Sequence, residues 1–329
     1  MGKKAESFDV VVINPFLHPD IVLYVPPGKR VTSERVLYTD RMEMRIGAGA
    51  YTSMMMASLG LKCCCVDKIG SDVFGIYTRR EMEAFGLDMR FVTTYPGNQM
   101  LVLSYVQEGE GGTMVNFHPP ELARTSFDEI RKMLRAAPLA KVLYIYIWFW
   151  SFVYSELYRE ETHKMVKEAK DRGYAVFLDL NYKPSTPPTT HEMTELKKAL
   201  KHVDVLLPNL YDAEILVGKM PIEESAHHLL ALGPKLVAVK AGKQGSYVAS
   251  DRGGYRSPAY QVNVLDTTGA GDMYGGAFTY GWLRGWEPKR IALFANAAAA
   301  YGISHPLNEK YPTVSQVEEL ISRVARKRM

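Results

Sequence analysis

From residue 126 onward the sequence alternates between helical and strand patterns with a regularity that few architectures satisfy. Helical periodicity covers Ser126–Ala136 and strand character Lys141–Ile147. The order continues through helix Ser155–Arg172, strand Ala175–Leu180, helix His191–His202, strand Val203–Leu207, helices Asp212–Val217 and Ile222–Leu232, strand Leu236–Lys240 and strand Gly245–Ala249. Three helical stretches follow toward the C-terminus. This alternation predicts an α/β fold, a mostly parallel sheet with helices on both faces, because each parallel crossover needs an element long enough to return the chain. No fixed-period repeat or low-complexity segment interrupts it.

The first half carries the same alternation with two interruptions. Phe8–Ile13 reads as a strand and Ala50–Leu59 as a helix stopped by Gly60. Lys62–Val66 reads as a second strand and Asp72–Phe85 as a helix stopped by Gly86. Two groups of short β segments interleave with these, Ile21–Val25 and Val36–Ile46, then Phe91–Thr94, Gln99–Gln107 and Thr113–Phe117. They predict one domain over residues 1–329 that carries a small β sheet, built from insertions at about 15–46 and 90–120.

Charge and cysteine usage narrow the function classes. The 40 Lys+Arg against 36 Asp+Glu are interspersed, with a basic cluster only at Arg323, Arg326, Lys327 and Arg328, so no nucleic-acid partner is expected. Cys63, Cys64 and Cys65 are consecutive, which suits neither a disulfide framework nor a zinc site and reads as a buried strand in a reducing compartment. The N-terminus lacks a signal-peptide pattern, and the run Val142–Val153 is shorter than the roughly 18 residues of a membrane span. A cytoplasmic protein without a membrane partner is therefore expected. His18, His118, His227 and His228 show no metal-ligand spacing and read as surface or packing residues.

In parallel sheets ligands bind beyond the carboxyl ends of the strands, which directs attention to the loops that follow them. The most informative is Asp266-Thr267-Thr268-Gly269-Ala270-Gly271-Asp272-Met273-Tyr274-Gly275-Gly276-Ala277-Phe278, a small-residue loop that enters a helix. Backbone amides at a helix N-terminus make an anion site, and the helix dipole strengthens it. A carboxylate there would repel a phosphate, so Asp272 needs another task. Accepting the proton of a hydroxyl that attacks a phosphoryl group is one, and it points to a small-molecule kinase. Simple capping of the helix by Asp272 stays open. A P-loop is excluded by the absence of its Lys-Ser/Thr pair, and a dinucleotide fingerprint fits poorly because Tyr274 stands where its third glycine belongs.

With the element order, this run resembles the second signature of the PfkB/ribokinase family of carbohydrate and nucleoside kinases. Gly47-Ala48-Gly49 through Leu59-Gly60 resembles the first signature, and Lys68–Gly75 the segment after it. Pro208–Glu214 resembles the Asn-x-x-Glu region and Lys240–Gly245 the nucleotide-side loop. The resemblance covers essentially the whole chain and implies a ribokinase-like three-layer α/β/α fold whose small sheet is a lid and a homodimer interface. It implies transfer of the γ-phosphoryl group of ATP, with Mg²⁺, to a hydroxyl of a sugar, sugar acid, polyol or nucleoside. A monovalent cation is a further candidate cofactor.

By position, the resemblance makes Asp272 the general base and the amides of Gly269, Ala270 and Gly271 the anion hole. Asp20, Gly47 and Tyr51 fall on the substrate side. Lys183, Asn209, Lys240, Gly242, Gly245 and Asn296 fall on the nucleotide side, and Asp212 near the metal through water. For Lys183 a solvated loop lysine is the alternative. Tyr51 replaces a customary Asn, Asp212 a customary Glu, and Trp148-Phe149-Trp150 a customary small residue, where stacking on a ligand competes with plain packing. These departures bear on the substrate more than on the phosphoryl chemistry. A catalytically impaired ligand-binding regulator on the same scaffold is the alternative reading.

Overall fold

The computed structural model of the chain describes residues 7–13, 17–25, 36, 38–47, 49–107, 111–119, 127–146, 156–182 and 187–327. The strands are β1 (Phe8–Ile13), β2 (Pro19–Val25), β3 (Met42–Ile46), β4 (Cys63–Gly70), β5 (Val92–Tyr95), β6 (Leu101–Gln107), β7 (Gly111–Phe117), β8 (Ala140–Tyr146), β9 (Ala175–Asp179), β10 (Val205–Leu207), β11 (Leu236–Lys240), β12 (Ser246–Ser250) and β13 (Gly253–Ser257). The helices are α1 (Ala50–Ser58), α2 (Val73–Ala84), α3 (Phe127–Ala136), α4 (Glu156–Asp171), α5 (Thr190–Leu200), α6 (Leu210–Val217), α7 (Ile222–Leu230), α8 (Ala270–Leu283), α9 (Pro288–Ser304) and α10 (Val314–Lys327).

The large sheet has the order β13-β12-β11-β10-β9-β8-β1-β4-β5, and β2, β3, β6 and β7 form a separate sheet in the order β3-β2-β6-β7. In the large sheet the pairs from β5 to β11 are parallel, while β12 and β13 extend it antiparallel. Strand alternation divides its apolar residues between two cores. Val10 and Val12, Val142 and Tyr144, Phe177 and Ala238 face one core, which α1, α2, α8, α9 and α10 cover with Met55, Met82, Phe278, Phe294 and Val317. Val11 and Ile13, Leu143 and Ile145, Leu178 and Val237 face the other, covered by Ile130, Met165, Leu196, Leu216 and Leu229 of α3 to α7. The three-layer arrangement expected from the alternation is present.

Three elements differ from expectation. The segment grouped with the second insertion, β5, pairs in parallel with β4 at the edge of the large sheet, Asp67 opposite Val92 and Gly70 opposite Tyr95. Its Thr-rich sequence suits any half-exposed strand, and only the packing of Val92 and Tyr95 into the core selects its partner. The strand within Val36–Ile46 is shorter than its alternation suggested, with β3 beginning at Met42. Strand β13, not anticipated, has two glycines at its start and exposes most of its residues, so it carries little hydrophobic periodicity.

Helix α8 approaches its neighbours more closely than side chains would permit. A Cβ on Gly276 would lie 2.7 Å from the Thr52 carbonyl oxygen of α1, and one on Gly275 would lie 2.3 Å from the Tyr144 hydroxyl of β8. The glycines of the run thus seat the helix N-terminus down onto the carboxyl end of the sheet.

Candidate active site

Gly269 caps α8 in the left-handed conformation, φ 78°, which an L side chain adopts only at a cost. A Cβ there would also stand 2.7 Å from the Tyr51 ring. The first amides of α8 have no acceptors within the helix, which is the physical basis of an anion site. The Ala270 amide closes a turn onto the Thr267 carbonyl at 3.2 Å. Asp272 sits in the first turn, 9% exposed, and its backbone carbonyl accepts a 3.2 Å hydrogen bond from the Thr52 hydroxyl. Its negative charge, after burial, opposes ionisation of the Tyr146 phenol.

Three strands deliver the groups beneath it. Tyr146, Asp179 and Lys240 are the last residues of β8, β9 and β11. Lys240 Nζ pairs with both Asp179 oxygens at 2.8 and 2.9 Å, and the Tyr144 hydroxyl donates to Asp179 Oδ2 at 2.8 Å. Asp179 is fully buried, so the two donors satisfy a charge that water cannot reach. The Lys240 ammonium lies 3.7 Å from the position a Cβ would take on Gly271, against the first turn of α8.

Among the residues expected on the substrate side, Asp20 of β2 is buried, with His18 Nε2 3.0 Å from Oδ1 and Arg45 Nε 3.7 Å from Oδ2. Gly47 makes room for this carboxylate, since its Cβ would fall 2.5 Å from Asp20 Oδ1. Tyr51 is buried beneath Tyr311, ring centroids 6.5 Å apart, and Lys310 Nζ lies 5.5 Å over the Tyr51 ring. The same ammonium reaches Asp266 Oδ2 at 3.2 Å. Burial alone would raise the Asp266 carboxyl, but hydrogen bonds from Thr268 and the Lys310 and Arg45 cations hold it well below the usual carboxylate range.

Among the residues expected on the nucleotide side, Asn209 caps α6 by accepting from the Asp212 amide at 2.9 Å. Asp212, expected near a metal through water, is fully buried. Its carboxylate accepts from the amides of Asn181 at 3.1 Å, Tyr182 at 2.8 Å and Asn209 at 2.8 Å. Burial pushes this carboxyl up to about 7, with Asp179 adding to the rise and the Asn209 and Tyr182 amides and Lys240 opposing it. Gly242 and Gly245 flank a single 3₁₀ turn with φ of 53° and 85°; a Cβ at Gly245 would meet the Ser257 carbonyl at 2.0 Å, whereas nothing lies within 4 Å of one at Gly242. Asn296 spends its amide on the Ser246 hydroxyl at 3.1 Å and the Ser257 carbonyl at 3.2 Å. Lys183 and Trp148-Phe149-Trp150 lie outside the described residues.

The start of α8 thus meets Tyr51 at Gly269 and Lys240 at Gly271, while Gly47 lies against Asp20. Sequence reasoning did not single out Arg45, Tyr144, Tyr146, Asp179 or Lys310. For Asp179 the available signal was position, a polar residue that ends a strand two places after Phe177 of the core that α8 covers.

The family model described as pfkB family carbohydrate kinase matches residues 27–309. The 5-dehydro-2-deoxygluconokinase of Shouchella clausii (strain KSM-K16) is 30% identical over 290 residues, which cover 84% of this chain and 85% of that protein. The 2-dehydro-3-deoxygluconokinase of Thermoproteus tenax is 26% identical over 312 residues, 88% of this chain and 90% of the relative. Among solved structures, Arabidopsis thaliana ribokinase complexed with ribose and ATP superposes with a TM-score of 0.76 at 19% identity, covering 96% of this chain and 99% of that one. With a family match across most of its length and a ribokinase-like fold, the chain belongs to the pfkB family of carbohydrate kinases, phosphotransferases that act on an alcohol group.

Proposed function

We propose that this protein transfers the γ-phosphoryl group of ATP to a hydroxyl of a sugar acid, with Asp272 as general base and the amides of Gly269, Ala270 and Gly271 as the anion hole. The observation that carries this reading is the buried Asp272 carboxylate in the first turn of α8, between the Asp20 side and the Lys240 side. ATP supplies the phosphoryl group, and Mg²⁺ offsets charge on its oxygens. The αL turn at Gly269, the Lys240 ammonium beside Gly271 and the open space at Gly242 suit a polyphosphate. Asp212, whose oxygens are engaged by backbone amides, is given no metal contact.

Asp272 takes the proton of the acceptor hydroxyl as that oxygen bonds to phosphorus, and the amides and Lys240 face the charge that develops on the phosphoryl oxygens. Asp20 holds acceptor hydroxyls. The small sheet acts as a lid that excludes water, which would otherwise compete as acceptor. The sugar-acid class follows the names of the two gluconokinase relatives. Met42, Met114, Val115 and Phe117 leave apolar side chains exposed on the small sheet, which supports a homodimer formed through it. No helix among the described residues is long and apolar enough to cross a membrane.

The test is ADP release with ATP and Mg²⁺ over a panel of 5-dehydro-2-deoxygluconate, 2-dehydro-3-deoxygluconate, neutral sugars and nucleosides. Turnover is expected with a sugar acid, and Asp272→Asn is expected to lower kcat by about 10²–10⁴-fold while ATP binding persists. Saturable binding of a sugar acid with no ADP release would favour the regulator instead.

A further inference from the structure

We propose that Lys310 is a positioning residue whose buried ammonium, held between Asp266 and the Tyr51 ring, sets the glycine turn that leads into the base. This rests on the reading of Asp272 as the base and of the Gly269–Gly271 amides as the anion hole.

A lysine in this place needs a reason. Lys310 is 2% exposed, and Asp266 Oδ2, 3.2 Å from Nζ, is the hydrogen-bond acceptor it meets among the described residues. Taking an ammonium out of water costs about as much as such a pair returns, so stability alone would favour an apolar side chain of similar length. Nor does Asp266 need a second cation for its own sake. Its Oδ2 accepts from Arg45 at 2.7 Å and its Oδ1 from the Thr268 amide at 2.9 Å, and its side chain is 38% exposed.

The chain delivers the ammonium by a route that also holds the turn. At the end of α9 the Ile303 carbonyl accepts from the amides of Leu265 and Asp266 at 2.8 and 3.2 Å. The 3₁₀ turn Leu307–Glu309 follows, closed by the Lys310 amide on the Leu307 carbonyl at 3.4 Å. Gly302 permits the close packing, since a Cβ there would lie 2.3 Å from Met273 Sδ of α8 and 3.0 Å from the Lys310 carbonyl oxygen.

From this seat Nζ meets both flanks of the glycine turn. On one flank stands Asp266, which fixes the entry through the Thr268 amide. On the other stands the Tyr51 ring, 5.5 Å from Nζ, a range at which an ammonium is attracted to an aromatic face. The same ring lies 2.7 Å from the Cβ position of Gly269, the left-handed cap of α8. The Met273 amide bonds the Gly269 carbonyl at 2.8 Å, so the cap passes directly into the helical turn that carries Asp272. The two cations on Asp266 therefore differ in duty: Arg45 also faces Asp20 at 3.7 Å, whereas Lys310 faces the cap.

Steady-state kinetics of Lys310→Met, Lys310→Ala and Asp272→Asn test the proposal. Methionine keeps an unbranched side chain without the charge, and alanine removes the equivalent of propylammonium. Lys310→Met is expected to lower kcat about 10–100-fold, the scale on which misplacing a reacting group by about 1 Å acts, with both KM values within about threefold. Its melting temperature should stay near that of the wild type, because Asp266 keeps Arg45 and the Thr268 amide. Added propylammonium should raise kcat of Lys310→Ala about 10-fold, saturably, and 1-propanol, of the same shape without the charge, should not. Wild-type kcat in Lys310→Met, with Asp272→Asn inactive, would overturn the positioning role and leave the base intact. Failure of propylammonium to rescue Lys310→Ala, or equal rescue by 1-propanol, would mean that Lys310 only packs and would overturn it as well. Full activity of Asp272→Asn would overturn the base itself, and the role of Lys310 with it.

Discussion

Arg45 donates a 2.7 Å hydrogen bond to Asp266 across 221 positions of sequence, joining the end of β3 in the small sheet to the first residue of the glycine run. Its Nε lies 3.7 Å from Asp20 Oδ2, so one buried guanidinium faces both the Asp20 carboxylate and the first residue of the glycine run. The small sheet is thereby tied to the loop that carries Asp272.

Arg45→Met should therefore raise the acceptor KM by at least about 10-fold, the equivalent of about 1.4 kcal/mol, while the ATP KM stays within about twofold. Its stability cost should be about 1–2 kcal/mol, below that of a fully buried pair because the Asp266 side chain is 38% exposed and partly screened. Initial-rate kinetics and urea denaturation read the two effects. An unchanged acceptor KM would show that Arg45 only braces the fold.

Asp266 contributes acid sensitivity of definite sign. Its carboxyl is held below its value in the unfolded chain, so its stabilisation is present above about pH 4 and is lost as the pH falls below that. Melting temperatures measured from pH 6 to pH 2.5 should fall more steeply for the wild type than for Asp266→Asn, which lacks this titration. Parallel curves would locate the acid sensitivity elsewhere.

Gly47→Ala places a methyl 2.5 Å from Asp20 Oδ1, so the carboxylate must move. The acceptor KM should rise about 10-fold or more, with the ATP KM near that of the wild type and the melting temperature changed little, since the displaced group is a side chain. Wild-type affinity for the acceptor in this variant would remove Asp20 from the binding site.

Lys240→Met leaves the fully buried Asp179 charge with the Tyr144 hydroxyl as its remaining donor in this cluster. Loss of one partner of such a pair costs about 3–5 kcal/mol. Asp179→Asn in the same chain removes the stranded charge and should restore more than half of that stability in chemical denaturation. It should not restore activity under the proposed function, in which Lys240, beside Gly271, faces the phosphate. Equal stability of the single and double variants would mean that water reaches Asp179.

What could be read before the fold was known followed the range of the interactions. Gly269 and Asp272 were legible because an αL turn and a first-turn carboxylate belong to one continuous segment. Asp20 and Gly47 came through family resemblance, and the 2.5 Å approach now supplies the reason a glycine stands there. Arg45, Lys310, Tyr146 and Asp179 were not singled out, since each carries its meaning in partners far along the chain. Even β5 was assigned to the wrong sheet, because a four-residue Thr-rich strand has no local preference for its neighbour.

The sequence by itself determined the layered α/β architecture, through a period-two pattern in the strands and a 3.6-residue pattern in the helices. It also determined the glycine turn that enters α8 and the carboxylate in that helix's first turn. The tertiary structure alone decided which polar residues share the site. Strand order and register, set by burial on the two faces of the sheet, bring Tyr146 opposite Asp179 and deliver Lys240 beside them under the first turn of α8. Hydrogen bonds and ion pairs act over about 3 Å, so their partners exist only once packing has chosen which strand ends meet.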